Sequence, residues 1–375
     1  MSTQLTNIAS VSVAVLVTIW LGYPAMVWVL ARLFERSREG VSSKSARGVS
    51  VIIASRDDAA LIRERVRDAV AQNTEGSLEV VVARDAARTD AACAELGDLP
   101  GNVRVVRGDD PGGKACALNA AVRAATGEVL VFTDTAQRFM PNAIATLVEQ
   151  LADERLGAVS GALRLRSDDT GRPPLTDRYW RFERWLRGEE ARLHSTVGVT
   201  GAIYAMRRTD WRPLPAGVLC DDLYIPMELV LRGKRIGFCR EAQAVDHRRF
   251  EASQEYQRKV RTLTGVLQVC VWLPGVLVPL RNPIWLQFVC HKLLRLLTPY
   301  LVLVAVVAAL GALSLSVGAT QLAWTVLAVA LGAPLLVWLA SRRARAAVAM
   351  GVAMQLAVVR ATWNGLRGDW DVWRR

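Results

Sequence analysis

Residues 102–134 read NVRVVRGDDPGGKACALNAAVRAATGEVLVFTD. The block opens on a β-branched apolar run at 102–106 and breaks over Gly108 to Gly113. It resumes as a helical stretch at 115–125 and closes on a second apolar run, 128–133, that ends at Asp134. Strand, helix and strand in that order predict two parallel strands joined by a crossover. The same rhythm runs upstream. Residues 49–54 form a β-branched run ending in Ser55, Arg56, Asp57 and Asp58, residues 61–71 are helical in pattern, and 78–83 form another run ending at Asp85. Such alternation implies an α/β fold, with a parallel sheet covered on both faces.

Ligands of such sheets bind beyond the carboxyl ends of the strands. Arg56, Asp58, Asp85, Lys114 and Asp134 all fall at or just after predicted strand ends. Any one of them is well explained as a solvated loop charge. Five on the same edge of one sheet mark a site.

Gly108 to Lys114 also has the Gly-x4-Gly-Lys spacing of a phosphate-binding loop, and 129–134 would suit the acidic strand of an ATPase. That loop needs Ser or Thr after its lysine to hold magnesium, and Ala115 stands there. The spacing fits and the chemistry does not.

A second acidic feature lies at 218–238. Asp221 and Asp222 follow a turn built on Pro213, Pro215 and Gly217, and they open the apolar run 223–231. Unpaired backbone N–H groups and the macrodipole favour an acid in the first turn of a helix. That accounts for one carboxylate, Asp221, as a cap or positioning group. The other, Asp222, is expected to take a proton from a substrate.

Composition sets the surroundings. The 375 residues are 52% hydrophobic and 22% charged, with a net charge of +12, and the mean hydropathy is +0.21. Charge and apolar residues must therefore be segregated into a globular part and spans. The basic excess points to a membrane surface or phosphates, with no nucleic acid partner expected. The six cysteines show no CxxC and no paired spacing, and histidine occurs three times. Neither a zinc site nor a disulfide framework is indicated, which suits a reducing cytosolic domain.

Residues 8–30 are uncharged and long enough to cross a hydrocarbon core of ~30 Å. The flank 1–7 has no Lys or Arg and no A-x-A site follows, so the segment reads as a retained anchor. Arg32, Arg36, Arg38, Lys44 and Arg47 follow it and place the next region in the cytoplasm. Residues 296–314 and 321–340 form two further spans, and Arg342, Arg343 and Arg345 return the chain to the same face. The stretch 262–280 is interrupted by Pro274, Gly275 and Pro279, and 346–359 is short and bracketed by Arg345 and Arg360. The first reads as interfacial and the second as re-entrant or interfacial. The resulting division is an anchor at 1–34, a cytoplasmic domain at 48–262, interfacial helices at 263–295, two spans at 296–340 and a tail at 341–375.

Several motifs together resemble the membrane-anchored family 2 glycosyltransferases, relatives of cellulose and hyaluronan synthases. Residues 50–58 (SVIIASRDD) resemble the opening strand and its acidic turn, and 80–90 (VVVARDAARTD) the strand whose Asp, here Asp85, meets the nucleobase. Gly113-Lys114-x4-Asn119 resembles the segment near the diphosphate, and 132–138 (FTDTAQR) occupies the place of the Asp-x-Asp metal motif. Residues 200–206 (TGAIYAM), with Gly201 and Ala202, resemble the acceptor-side loop, and Cys220-Asp221-Asp222 the Thr-Glu-Asp motif with its base. Arg258, Lys259, Val260, Arg261 and Thr262 fall where many members carry Gln-x-x-Arg-Trp. The resemblance covers about 49–295.

The resemblance implies a GT-A (Rossmann-like) cytoplasmic domain with transmembrane and interfacial α-helices. It also implies inverting transfer of a sugar from a nucleotide-diphosphate donor, a UDP-sugar by preference, to a lipid-linked or polysaccharide acceptor. Asp222 becomes the base with Asp221 beside it. Arg56, Asp58, Asp85, Lys114, Arg258 and Arg261 become donor-binding, and Asp134 the holder of Mg²⁺ or Mn²⁺. Asp134-Thr135-Ala136 lacks the second carboxylate of Asp-x-Asp, so the metal would rest on one protein carboxylate and diphosphate oxygens. That loss motivates the rival reading of a catalytically silent nucleotide-binding scaffold. Thr262 in place of Trp weakens a case for processivity.

Tyr179, Trp180, Phe182 and Trp185 are read first as a buried helix face and second as an acceptor platform. The expected location is the inner cell membrane. Three spans are few for a self-sufficient channel, so a homo-oligomer or transport partner would have to contribute to any translocation.

Overall fold

The computed structural model describes residues 1–34, 48–86, 96–166, 177–248, 252–317, 321, 338 and 341–372; for 252, 342 and 343 it describes the backbone alone. The chain divides into two compact units. A sheet-containing unit comprises residues 27–249 and 268–286, and a helical unit comprises 1–26, 250–267 and 287–375.

The sheet unit begins as the apolar runs predict. Strands β1 (Gly48–Ser55), β2 (Ser77–Arg84), β3 (Val103–Arg107) and β4 (Val129–Thr133) are parallel, with helices α3 (Ala59–Val70) and α4 (Lys114–Ala124) between them. Strand alternation sends Val49, Val51 and Ile53 to one face, where they meet Ile62 and Val66 of α3. Helix α5 (Ala143–Leu151) packs Ile144 and Leu147 into the same cluster. Full burial of each such side chain is worth about 1.5–3 kcal/mol. Ile52, Val81 and Leu130 point the other way and are also fully buried, because α4 covers the opposite face. Two buried faces explain why these strands read as continuous apolar runs rather than alternating ones.

Beyond β4 the sheet departs from the all-parallel expectation. Its order is β3-β2-β1-β4-β7-β6-β8-β5. Strand β7 (Tyr204–Arg207) runs antiparallel to both β4 and β6 (Leu156–Leu165), β8 (Arg235–Asp246) lies parallel to β6, and β5 (Gln137–Phe139) closes the edge antiparallel to β8. The reversal arises because the chain enters β7 from a loop at the edge where β4 ends, with no crossover helix directly before it. Helices α6 (Asp177–Leu193) and α7 (Asp221–Leu231) pack on β6 and β8.

Near the N-terminus, α1 (Ser2–Val17) continues through a π-turn into α2 (Tyr23–Leu33), a 32-residue run apolar enough to cross a membrane. Helix α10 (Thr298–Val317) lies antiparallel to α1: Gly311 faces Leu5, and Trp20 Nε1 donates to Thr298 Oγ1 at 3.2 Å. The guanidinium of Arg295 covers the Trp20 ring.

The expected boundary at 295/296 falls inside a continuous helical stretch of 285–317. There α9 (Trp285–Phe288) passes through a π-turn and a 3-10 turn into α10. Residues 252–272 form helix α8, so the stretch read as interfacial from 262 begins ten residues earlier in helical form. Residues 342–367 form one helix, α11, whose 344–367 portion is also long and apolar enough to cross. It is longer than the 346–359 segment because helix continues through Arg345 and Arg360 at both ends. The expected span at 321–340 lies, apart from Gln321 and Trp338, outside the described residues.

Candidate active site

The carboxyl edges of β1, β2 and β4 converge, and buried arginines shape them. Arg84 closes β2 at 1% exposure and donates from Nη1 to the carbonyl of Asp57 at 2.6 Å, which fixes the turn after β1. Asp85 is buried just beyond. Its Oδ1 accepts from the backbone N–H of Gly113 at 3.1 Å, and its Oδ2 lies 3.7 Å from Arg56 Nε. Gly113 sits at φ +90°, a conformation that favours glycine, and serves as N-cap of α4. In a phosphate-binding loop that amide would face phosphate; here it is given to a carboxylate. Asp58 is the exposed N-cap of α3.

Lys114 is the first residue of α4, and its ammonium joins two distant parts of the chain. Nζ lies 3.0 Å from Asp134 Oδ1, just past β4, and 3.1 Å from Asp221 Oδ2, in the first turn of α7. Burial alone would lower the lysine pKa, but attraction to Asp134, Asp221 and Asp222 outweighs it and raises the group above its ordinary value. The side chain is 35% exposed, so solvent screens part of this attraction. Lys114 therefore stays charged throughout the physiological range.

Neither aspartate of the pair caps its helix. Cys220 is the N-cap, with no capping hydrogen bond from its side chain, while Asp221 is turned to Lys114. This corrects the capping half of the reading at Asp221 and keeps the positioning half. Asp222 is half-buried in the same turn, and its carbonyl accepts from Val199 N–H at 2.9 Å, which docks the loop before β7 on the start of α7. Ser160 Oγ accepts from the N–H of Thr200 at 3.1 Å in the same loop. A Cβ added at Gly201 would stand 3.6 Å from Lys114 Nζ and 3.7 Å from Asp134 Oδ2, so Gly201 and the adjoining Ala202 border the ion cluster.

Four positioning groups were not singled out from the sequence. Arg65, fully buried on α3, donates from Nη2 to Thr133 Oγ1 at 2.8 Å, and Thr133 donates to the carbonyl of Ala202 at 2.8 Å. Asp68 pairs with Arg65 and accepts from Phe139 N–H at 3.1 Å. The relay ties β4, β5 and the Gly201–Ala202 turn together. Thr135 Oγ1 donates to Ser55 Oγ at 2.7 Å and holds the Asp134 loop to β1. A charged residue on the apolar face of α3, between Ile62 and Val66, was the one available clue to Arg65.

Other readings find simpler places. Trp180 packs against the core and Tyr179 is exposed, consistent with a mainly structural face. Away from the site, Asp246 accepts from Gln137 and pairs with Arg248. Arg258 and Arg261 lie on α8 within the helical unit, with Arg258 3.6 Å from Glu255.

Among the described residues, no group of three His, Cys, Asp or Glu is placed to hold a metal ion. Asp134, with 38% of its side chain exposed, offers one hard oxygen donor group. A cation here fits if a bound molecule supplies most of its oxygens, the coordination magnesium commonly adopts beside phosphates.

The family model described as Glycosyl transferase family 2 matches residues 50–212, a stretch that contains Asp85, Lys114 and Asp134 and ends before Asp221. No curated protein sequence matches the chain significantly. Among solved structures, the mannosyltransferase PcManGT from Pyrobaculum calidifontis, in complex with GDP-Man and Mn²⁺, is similar over 96% of this chain and 99% of its own, with 23% identity and a TM-score of 0.70. GalNAc-T7, with UDP, GalNAc and Mn²⁺, aligns over 65% of this chain and 53% of its own at 16% identity and a TM-score of 0.45. Residues 50–212 thus match the glycosyl transferase family 2 model, and they lie in a mixed α/β sheet of GT-A type.

Proposed function

We propose that this chain is an inverting hexosyltransferase that moves a sugar from a nucleotide-diphosphate donor to a lipid-linked or polysaccharide acceptor. The observation that carries the reading is the bridge from Lys114 to Asp134 and Asp221 at the carboxyl edge of the parallel strands.

Displacing a nucleoside diphosphate from a sugar needs a deprotonated acceptor hydroxyl and a stabilised leaving group. Asp222 is the proposed base. It accepts the hydroxyl proton as that oxygen bonds to C1 and the C1–O bond to the diphosphate breaks with its electron pair. Lys114 turns to the diphosphate oxygens as they gain charge. Asp85, Arg56 and Asp58 hold the nucleoside end, and Gly201 and Ala202 leave room for the acceptor, since no side chain larger than methyl stands there. For Arg258 and Arg261 the donor-binding role rests on the resemblance. A Mg²⁺ or Mn²⁺ ion held by Asp134 and the diphosphate would add charge neutralisation at the leaving group.

The three apolar helices support a membrane enzyme. The arginines flanking the first and last of them support a cytoplasmic domain at the inner membrane.

The test is release of nucleoside diphosphate by the detergent-purified protein, with and without Mg²⁺ or Mn²⁺. UDP-sugars are the expectation of the resemblance. The panel also includes GDP-mannose, because PcManGT was solved with that donor. Release from one donor with transfer to acceptor supports the reading. Diphosphate binding with no transfer across the panel replaces it with a silent nucleotide-binding scaffold.

A further inference from the structure

Tyr204 opens β7 opposite Phe132 of β4, two residues before Asp134. Its ring is 1% exposed and stacks on Phe132 with centroids 4.6 Å apart and planes 8° from parallel. Phe132 stacks in turn on Trp211 at 5.4 Å. Three stacked rings leave the phenol no freedom to turn away. Yet its hydroxyl oxygen is buried without a hydrogen-bond partner among the described residues. An unmatched buried donor is costly, and phenylalanine would provide the same stack without it.

The charges around this hydroxyl supply the reason for keeping it. Burial first, and then Asp221, Asp222 and Asp134, push its loss of a proton well above the ordinary phenol value. Tyr204 is thus a neutral donor in a neighbourhood of three carboxylates. One of them, Asp221, is occupied: Lys114 Nζ lies 3.1 Å from its Oδ2.

We propose that Tyr204 is a positioning residue whose hydroxyl takes over Asp221 when Lys114 leaves that carboxylate for a nucleoside diphosphate. The inference rests on the diphosphate role proposed for Lys114. Phosphate oxygens compete for the ammonium, and Asp221 then loses its cation while sitting next to Asp222. Two adjacent carboxylates in one helical turn repel. A phenol O–H satisfies Asp221 without adding charge, which keeps that side chain ordered and leaves Asp222 as the acceptor for the substrate proton.

A double-mutant cycle on the full chain in detergent, without ligand, tests the exchange directly. Tyr204→Phe alone removes an unmatched hydroxyl and retains the stack, so the melting temperature should hold or rise. Lys114→Met frees Asp221 without any nucleotide, and in that background Tyr204→Phe should lower the melting temperature by about 2–4 °C. The reversal of sign is the signature. A ring that only fills space gives the same shift in both backgrounds, and that result overturns the proposal.

A second measurement decides the matter if Lys114→Met does not fold. UDP or GDP with Mn²⁺ should raise the melting temperature of the wild type more than that of Tyr204→Phe. In the variant kcat should fall about tenfold, with the donor KM within about twofold of wild type. Equal nucleotide shifts would falsify the role of Tyr204. Failure of both nucleotides to shift the wild type counts against the glycosyltransferase reading, while the ligand-free cycle still decides the tyrosine.

Discussion

Asn119 gives both ends of its side-chain amide to the backbone of Leu214: Nδ2 donates to the Leu214 carbonyl at 2.9 Å, and Oδ1 accepts from its N–H at 2.8 Å. The pair fastens the 212–220 loop to α4, one turn beyond Lys114. That loop delivers Asp221 and Asp222 to the site. Asn119→Ala leaves both backbone groups of Leu214 unmatched at a half-buried position, a loss of about 1–3 kcal/mol in unfolding free energy. Turnover should fall about 10- to 100-fold through misplacement of the aspartate pair. Chemical unfolding and steady-state kinetics check the two numbers separately, and a stable variant with normal kcat would contradict the coupling.

Asp222→Asn removes the proposed base while preserving size and the backbone bond to Val199. General-base loss typically costs about 10²–10⁴ in rate. Binding of UDP or GDP with Mn²⁺, followed by calorimetry, should change little, because the contacts proposed for the nucleotide lie at Asp85, Arg56 and Lys114. Normal turnover in this variant would remove Asp222 from its role.

The sequence showed the parallel half of the domain more readily than the rest, for a physical reason. Strands β1, β2 and β4 are buried on both faces, so their β-branched runs and abrupt charged ends are local signals. Strand β7 has four residues, and β8 follows β6 with register shifts, so neither carries a clean period of its own. Their places depend on pairing with distant segments. The site divides the same way. Asp85, Lys114 and Asp134 were visible because topology brings strand ends together. The bridge from Lys114 to Asp221, the relay through Arg65 and the partner of Asn119 join residues far apart in sequence, and nothing local announces them.

Glu79 offers a pH test away from the site. Its Oε1 accepts from Ser50 Oγ at 2.5 Å, Thr126 N–H at 2.6 Å, Thr126 Oγ1 at 2.9 Å and Gly127 N–H at 3.3 Å, fastening β2 to β1 and to the turn before β4. Burial alone would raise this carboxyl, but the hydrogen bonds win and hold its pKa below the ordinary 4.5. A depressed acid stabilises the fold above its unfolded pKa and loses that contribution as pH falls through the folded value. Glu79→Gln should cost about 1 kcal/mol at pH 7, discounted for a half-exposed group. The gap from wild type should close as pH drops below about 4.5. Urea unfolding followed from pH 7 down to about pH 3 traces the closing gap, and a gap that widens in acid would contradict the assignment.

Lys114 has opposed effects on the two ligands proposed for the site, and one substitution separates them. In the ligand-free protein its ammonium stands about 3 Å from Asp134 and from Asp221, where an incoming divalent cation would need at least the first carboxylate. Two unit charges at ~4 Å interact by about 4 kcal/mol at an effective dielectric of ~20, and solvent at a side chain 35% exposed reduces that. Lys114→Met should therefore tighten Mn²⁺ binding without nucleotide by about tenfold, equivalent to about 1.4 kcal/mol. The same change removes a proposed phosphate contact, so the affinity for UDP or GDP in the presence of Mn²⁺ should weaken. Electron paramagnetic resonance of free Mn²⁺ reads the first effect and calorimetry the second. A lysine that merely stiffened the site would weaken both when removed, so loss of Mn²⁺ affinity without nucleotide would rule out direct competition at Asp134.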